Sequence, residues 1–108
     1  MRTNGNDPIL KEITKRLSKT LGPDKLFLFG SRSKGTQNSD SDYDIAVLMP
    51  ATSAQKCALM DKGHQALWGV DAAVDIVIID PKEFAEMHDI PNTMSSIIST
   101  EGIELHVA

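Results

Sequence analysis

Apolar residues recur every four positions through Ile9, Ile13, Leu17 and Leu21, with Leu10 beside them, while Lys11, Glu12, Lys15, Arg16 and Lys19 fall mostly outside that stripe. The rhythm predicts an amphipathic helix, started by Asp7 as N-cap with Pro8 at the first helical position and stopped by Gly22-Pro23. Leu26 to Phe29 is apolar on both faces and predicts a central buried strand whose exit is Gly30. A polar loop, Thr36 to Ser41, leads to a second strand, Tyr43 to Met49, ended by Pro50. Ser53 is positioned to cap a helix from Ala54 to Trp68 with Cys57, Met60, His64, Leu67 and Trp68 on its inner side, and Gly69 closes it. Cys57, Met60 and Trp68 read as packing residues. Ala73 to Ile79 is a third strand, apolar apart from Asp75 in its middle. Asp80-Pro81-Lys82-Glu83 has the composition of a capping box for a short helix to His88, which Ile90-Pro91 breaks. Asn92 to Thr100 predicts another helix with Met94, Ile97 and Ile98 inward, and Ile103 to Val107 a last short strand. Residues 1–6 are polar and read as frayed. The pattern is that of an α+β fold spanning residues 1–108 as a single domain, with helices covering a small sheet.

At 108 residues the chain has room for one core but not for a second substrate-binding domain of ordinary size. Its net charge of -4 and pI near 5.2, without a basic stripe, argue against non-specific nucleic-acid binding. The apolar runs are far shorter than the roughly 18 residues that a membrane span needs. The single cysteine, Cys57, forms no internal disulfide, and the N-terminus lacks the apolar core of a signal peptide. Together these predict a cytoplasmic protein.

The chemistry concentrates where strands give way to turns. Asp42 and Asp44 lie two apart at the mouth of the second strand and so share one face, with Tyr43 on the other, where it reads as structural. Asp75 stands inside VDIVII, where a buried carboxylate without a partner would be costly. A divalent metal shared by the three answers that cost if the second and third strands are neighbours, because Mg²⁺ favours carboxylate and phosphate oxygens. The Asp40-x-Asp42-x-Asp44 run is not an EF-hand, since Ile45 and Ala51 stand where Gly and Glu are required. Gly30-Ser31-Arg32-Ser33-Lys34-Gly35 is not a Walker A loop, because Thr36-Gln37 follow the second glycine. It is nevertheless a post-strand turn able to meet phosphate oxygens through Gly30, Ser31 and the charges of Arg32 and Lys34. His64, His88 and His106 lack the spacing of a zinc site.

Gly30-Ser31, the following loop, Asp42-x-Asp44 and a later strand carboxylate at Asp75 together resemble the polymerase-beta-like nucleotidyltransferase superfamily. Within it, the short chain looks like the minimal nucleotidyltransferases (MNT) paired with HEPN proteins. The resemblance implies a small mixed β-sheet flanked by helices and Mg²⁺-dependent transfer of AMP from ATP. By the same resemblance Gly30 and Ser31 hold the triphosphate, with Arg32 and Lys34 in support. Asp42 and Asp44 bind two metal ions, and Asp75 completes the catalytic one. The implied acceptor is a protein: the chain would be an antitoxin that AMPylates a HEPN ribonuclease toxin, in a homo- or hetero-oligomer. Two alternatives stay open, an antitoxin acting by binding alone and a small-molecule nucleotidyltransferase that builds its acceptor pocket by oligomerising.

Overall fold

Asp7 opens the first helix as its sequence position suggests: one carboxylate oxygen accepts a hydrogen bond from the Leu10 amide at 3.0 Å, and Pro8 begins α1 (Pro8–Leu21). The computed structural model describes residues 7–35 and 42–105, without the side chains of Ser31 and Lys34. The expected fraying of residues 1–6, the 36–41 loop, and the last strand beyond Leu105 lie outside the described residues. Gly22 ends α1 in the left-handed region at φ 60° and donates to the Ser18 carbonyl. Glycine adopts that conformation without the clash a Cβ brings.

The remaining elements follow in order: β1 (Lys25–Phe29), α2 (Ser31–Lys34), β2 (Tyr43–Leu48), α3 (Ser53–Ala66), β3 (Val74–Ile79), α4 (Pro81–Met87), α5 (Met94–Glu101) and β4 (Ile103–Leu105). The strands form one mixed sheet of order β3-β2-β1-β4. β1 pairs antiparallel with both β2 and β4, and β2 pairs parallel with β3. Parallel neighbours require a crossover, and α3 provides it. The run from Leu26 to Phe29 thus lies on a central strand as expected, and β2, which carries Asp44, is the other central strand.

Alternation divides the core in two. Leu26, Leu28, Tyr43, Ile45, Val47, Ile76, Ile78 and Leu105 pack with Leu10, Ile13, Leu17 and Leu21 of α1 and with Leu67 after α3. Phe29, Ala46, Leu48 and Ile79 pack on the other face with Ile98 of α5, joined by Phe27, Val77 and Phe84 of α4. Each fully buried Leu or Ile contributes about 1.5–3 kcal/mol, so α1 is the chief helical contributor. The Phe27 and Phe84 rings stack at 6.2 Å, fixing α4 to the sheet.

Four local expectations need correction. α3 starts one residue early, because Thr52 rather than Ser53 is its cap: Thr52 Oγ1 accepts from the Gln55 amide and the Gln55 side chain accepts from the Thr52 amide. Its inner side is also rotated by about one residue. Gly63 is buried, Leu59 and Met60 are half-buried, while Cys57 and His64 are exposed and Trp68 is 87% exposed. The helix approaches through its glycine: a Cβ at Gly63 would lie 2.9 Å from Ile76 Cδ1 and 3.4 Å from Leu17 Cδ2. On α4, Asp80 caps as expected, accepting from the Lys82 amide. Glu83, however, does not close the box; its carboxylate pairs with Lys56 at 2.8 Å. On α5, capped by Thr93, Ser95 and Ile98 are the buried residues and Met94 is exposed. Among the described residues no helix is long and apolar enough to cross a membrane.

Candidate functional site

β1 delivers the chain to Gly30, whose φ of 76° lies in the left-handed region. The next residues turn at once into α2, and the Gly30 carbonyl accepts from the Ser33 amide at 3.2 Å and the Ser33 hydroxyl at 2.8 Å. Gly35, also at φ 76°, follows the helix. Glycine at position 30 is required twice over. Beyond its backbone conformation, a Cβ there would run into the Asp44 carboxylate. The post-strand turn and the acidic strand, far apart as sequence motifs, are therefore in contact.

Sheet register explains the juxtaposition. Antiparallel pairing sets Phe29 opposite Asp44, and parallel pairing sets Asp44 opposite Asp75. Neighbouring strands lie about 4.7–4.9 Å apart, so the two carboxylates share one end and one face of the sheet. It is the face that carries Ala46, Leu48, Val77 and Ile79. Burial pushes the Asp44 carboxyl above its ordinary range, and the charges of Asp75 and Asp42 and a hydrogen bond with Asp75 push it further. Asp42 thus acts on the same site, although it is exposed.

Asp75 is not buried as expected. It is exposed at the second residue of edge strand β3, so desolvation does not explain its presence; its closeness to Asp44 does. Among the described residues, no three His, Cys, Asp or Glu side chains converge into a metal-holding cluster. What the structure offers is an open pair, Asp44 and Asp75, with Asp42 nearby. That donor set is all oxygen, and the charges of Asp75 and Asp42 both act on Asp44. Such a set fits Mg²⁺, which commonly binds through one or two carboxylates and completes its shell with water and substrate phosphates.

Tyr43 faces away from the carboxylates into the α1 side of the core, as its position between Asp42 and Asp44 predicts. Its hydroxyl donates to Asp7 Oδ2 at 2.8 Å. Arg32, expected to support phosphate binding, lies with its guanidinium carbon 3.8 Å from the centroid of the Tyr43 ring. The side chains of Ser31 and Lys34, expected at the phosphates, lie outside the described part of the structure. His88 stacks on Phe84 at 6.2 Å, away from the predicted metal residues in the sequence. The link from Asp7 to Tyr43 is not visible in the sequence, where Asp7 gives only a capping signal.

The fold and this site define the class. Residues 9–103 match the nucleotidyltransferase domain family, and the chain belongs to that family. Its fold is the polymerase-beta-like one that the glycine turn and aspartates suggest. A solved toxin–antitoxin structure with AMP-PNP is similar, at 29% identity and a TM-score of 0.59, covering 91% of this chain and 73% of the other. A doubly substituted MntA–HpeT toxin–antitoxin structure has 25% identity and a TM-score of 0.56, covering 91% and 72% respectively. Another MntA–HpeT variant has 25% identity and a TM-score of 0.54, covering 99% and 75%. The curated proteins contain no match.

Proposed function

We propose that this nucleotidyltransferase transfers AMP from ATP to a protein acceptor, with release of pyrophosphate, and serves as the antitoxin of a toxin–antitoxin pair whose toxin is a HEPN ribonuclease. The observation that carries this reading is the Asp44–Asp75 register beside the left-handed Gly30 turn. The similarity to toxin–antitoxin structures, one of them with AMP-PNP, supports the biological setting and the nucleotide.

Asp42, Asp44 and Asp75 would hold two Mg²⁺ ions, which when bound neutralise phosphate charge and polarise the reacting oxygens. Gly30 lets the backbone approach the triphosphate closely, and the backbone amides at the start of α2 and the Ser31 hydroxyl receive its oxygens. Lys34 adds positive charge, while Arg32, whose guanidinium lies over Tyr43, supports the turn by position. Asp75 also orients the acceptor hydroxyl and takes up its proton as the new phosphoester bond forms to the α-phosphorus and the bond to pyrophosphate breaks. No protein nucleophile is needed, because this chemistry depends on positioning and charge.

Co-expression tests the biological role. Wild-type protein is expected to restore growth to cells making the toxin encoded beside it, whereas a folded Asp42→Asn/Asp44→Asn variant fails. Equal rescue by both would show that binding alone neutralises the toxin.

A further inference from the structure

Arg32 belongs to the turn after β1, yet its guanidinium lies 3.8 Å from the centroid of Tyr43, a residue of β2. The same tyrosine donates through its hydroxyl to Asp7 Oδ2 at 2.8 Å, while the other Asp7 oxygen caps α1 through the Leu10 amide at 3.0 Å. One carboxylate thus ties the start of α1 to β2, and the ring it anchors meets α2. Tyr43 is 4% exposed, so its ring is a fixed surface. α2 has only four residues, too few for a helix to be stable by itself. Its placement must come from outside contacts.

We propose that Asp7, Tyr43 and Arg32 form a positioning relay that holds α2, and hence the Gly30-Ser31 turn, in register with Asp44. Tyr43 and Asp7 act through Arg32; neither touches substrate. The consequence for ATP handling rests on the function proposed above, but the ordering of α2 does not. A guanidinium above a tyrosine ring is favourable through the ring quadrupole. The stack joins α2 to β2: Tyr43 lies on one face of the strand and its neighbour Asp44 on the other, so fixing the ring fixes the turn against the strand that carries the carboxylate.

The test compares Tyr43→Phe, which keeps the ring, with Tyr43→Leu, which removes it. Arg32→Met removes the guanidinium without entering the core. Amide hydrogen exchange of Ser31–Lys34 and KM for MgATP are read for each. Tyr43→Leu and Arg32→Met are expected to speed α2 exchange and raise KM by about two- to five-fold, the scale of an exposed cation–π contact. Tyr43→Phe and Asp7→Asn, which keep the ring but weaken its anchor, are expected to fall between wild type and Tyr43→Leu in both α2 protection and KM, and wild-type values in both would remove Asp7 from the relay. Unchanged α2 exchange in Arg32→Met and in folded Tyr43→Leu would overturn the proposal. So would loss of α2 protection in Tyr43→Phe equal to that in Tyr43→Leu. Accelerated exchange in a protein that transfers no nucleotide would uphold the relay and reject the function instead.

Discussion

Replacing Gly30 by Ala separates two costs that the structure places at one residue. The first is conformational: an L-residue in the left-handed region costs about 1–2 kcal/mol. Gly22 supplies the comparison, because it has φ 60° and a methyl added there would meet no atom within 4 Å, whereas a methyl at Gly30 (φ 76°) meets the Asp44 carboxylate, with Asp44 Cγ at 3.1 Å. In a domain of about this size 1 kcal/mol moves Tm by about 4–8 °C. Gly22→Ala should therefore lower Tm by about 4–16 °C while leaving nucleotidyl transfer intact. Gly30→Ala should lower Tm at least as far and should also displace Asp44. Since a misplacement of about 1 Å in an active site can cost about 100-fold, transfer should fall by that order. Thermal melts and single-turnover AMP transfer measured on both variants check this. Gly30→Ala with wild-type transfer, or Gly22→Ala with an equal loss of transfer, would rule out a steric coupling between the turn and Asp44.

Other outcomes follow from individual side chains. Asp44→Asn should abolish transfer in the presence of Mg²⁺ and, in metal-free protein, raise Tm at neutral pH. Burial and neighbouring carboxylates hold Asp44 above its ordinary 3.8, so the wild-type contribution is complete below that value and lost as pH rises through the raised one. The Tm gap between the two proteins should accordingly close on acidification. Burial first, then the hydrogen bond to Asp7, raise the Tyr43 phenol from 10.0 to about 12. Its stabilising contribution should be complete below pH 10 and lost through about pH 12, a titration that is missing from Tyr43→Phe melts. Ser18 is buried and its hydroxyl has no hydrogen-bond partner among the described residues. Ser18→Ala should therefore stabilise the protein by about 1 kcal/mol in urea denaturation.

Legibility in the sequence follows the strength of local physical signals. α1 is readable because Leu10, Ile13, Leu17 and Leu21 are both periodic and buried, and Asp7-Pro8 and Gly22 bound it with unambiguous chemistry. The central position of β1 is readable because the continuous apolar run from Leu26 to Phe29 needs two covered faces. The inner side of α3 is not, because its contact residue is Gly63, which has no apolar side chain to register in a pattern. Trp68 misleads in the opposite sense: its size suggests burial, while it falls just past the helix where the chain turns outward. At the site, Asp42 and Asp44 are visible as a strand pair. Asp75 stands out in the sequence for a burial it does not have; its partnership with Asp44 depends on β2–β3 register, a non-local property. The Asp7–Tyr43–Arg32 contacts are invisible for the same reason, since they join three segments distant in sequence.

If the carboxylates gathered beside Gly30 carry nucleotidyl transfer to a protein, the toxin encoded beside this chain should change mass. Its intact mass after incubation with ATP and Mg²⁺ is the decisive measurement. A gain of one or more AMP units is expected with wild-type protein, and none with Asp44→Asn, with Asp75→Asn or without Mg²⁺. An unmodified toxin with the wild-type protein, or the same mass gain with folded Asp44→Asn, would contradict that assignment.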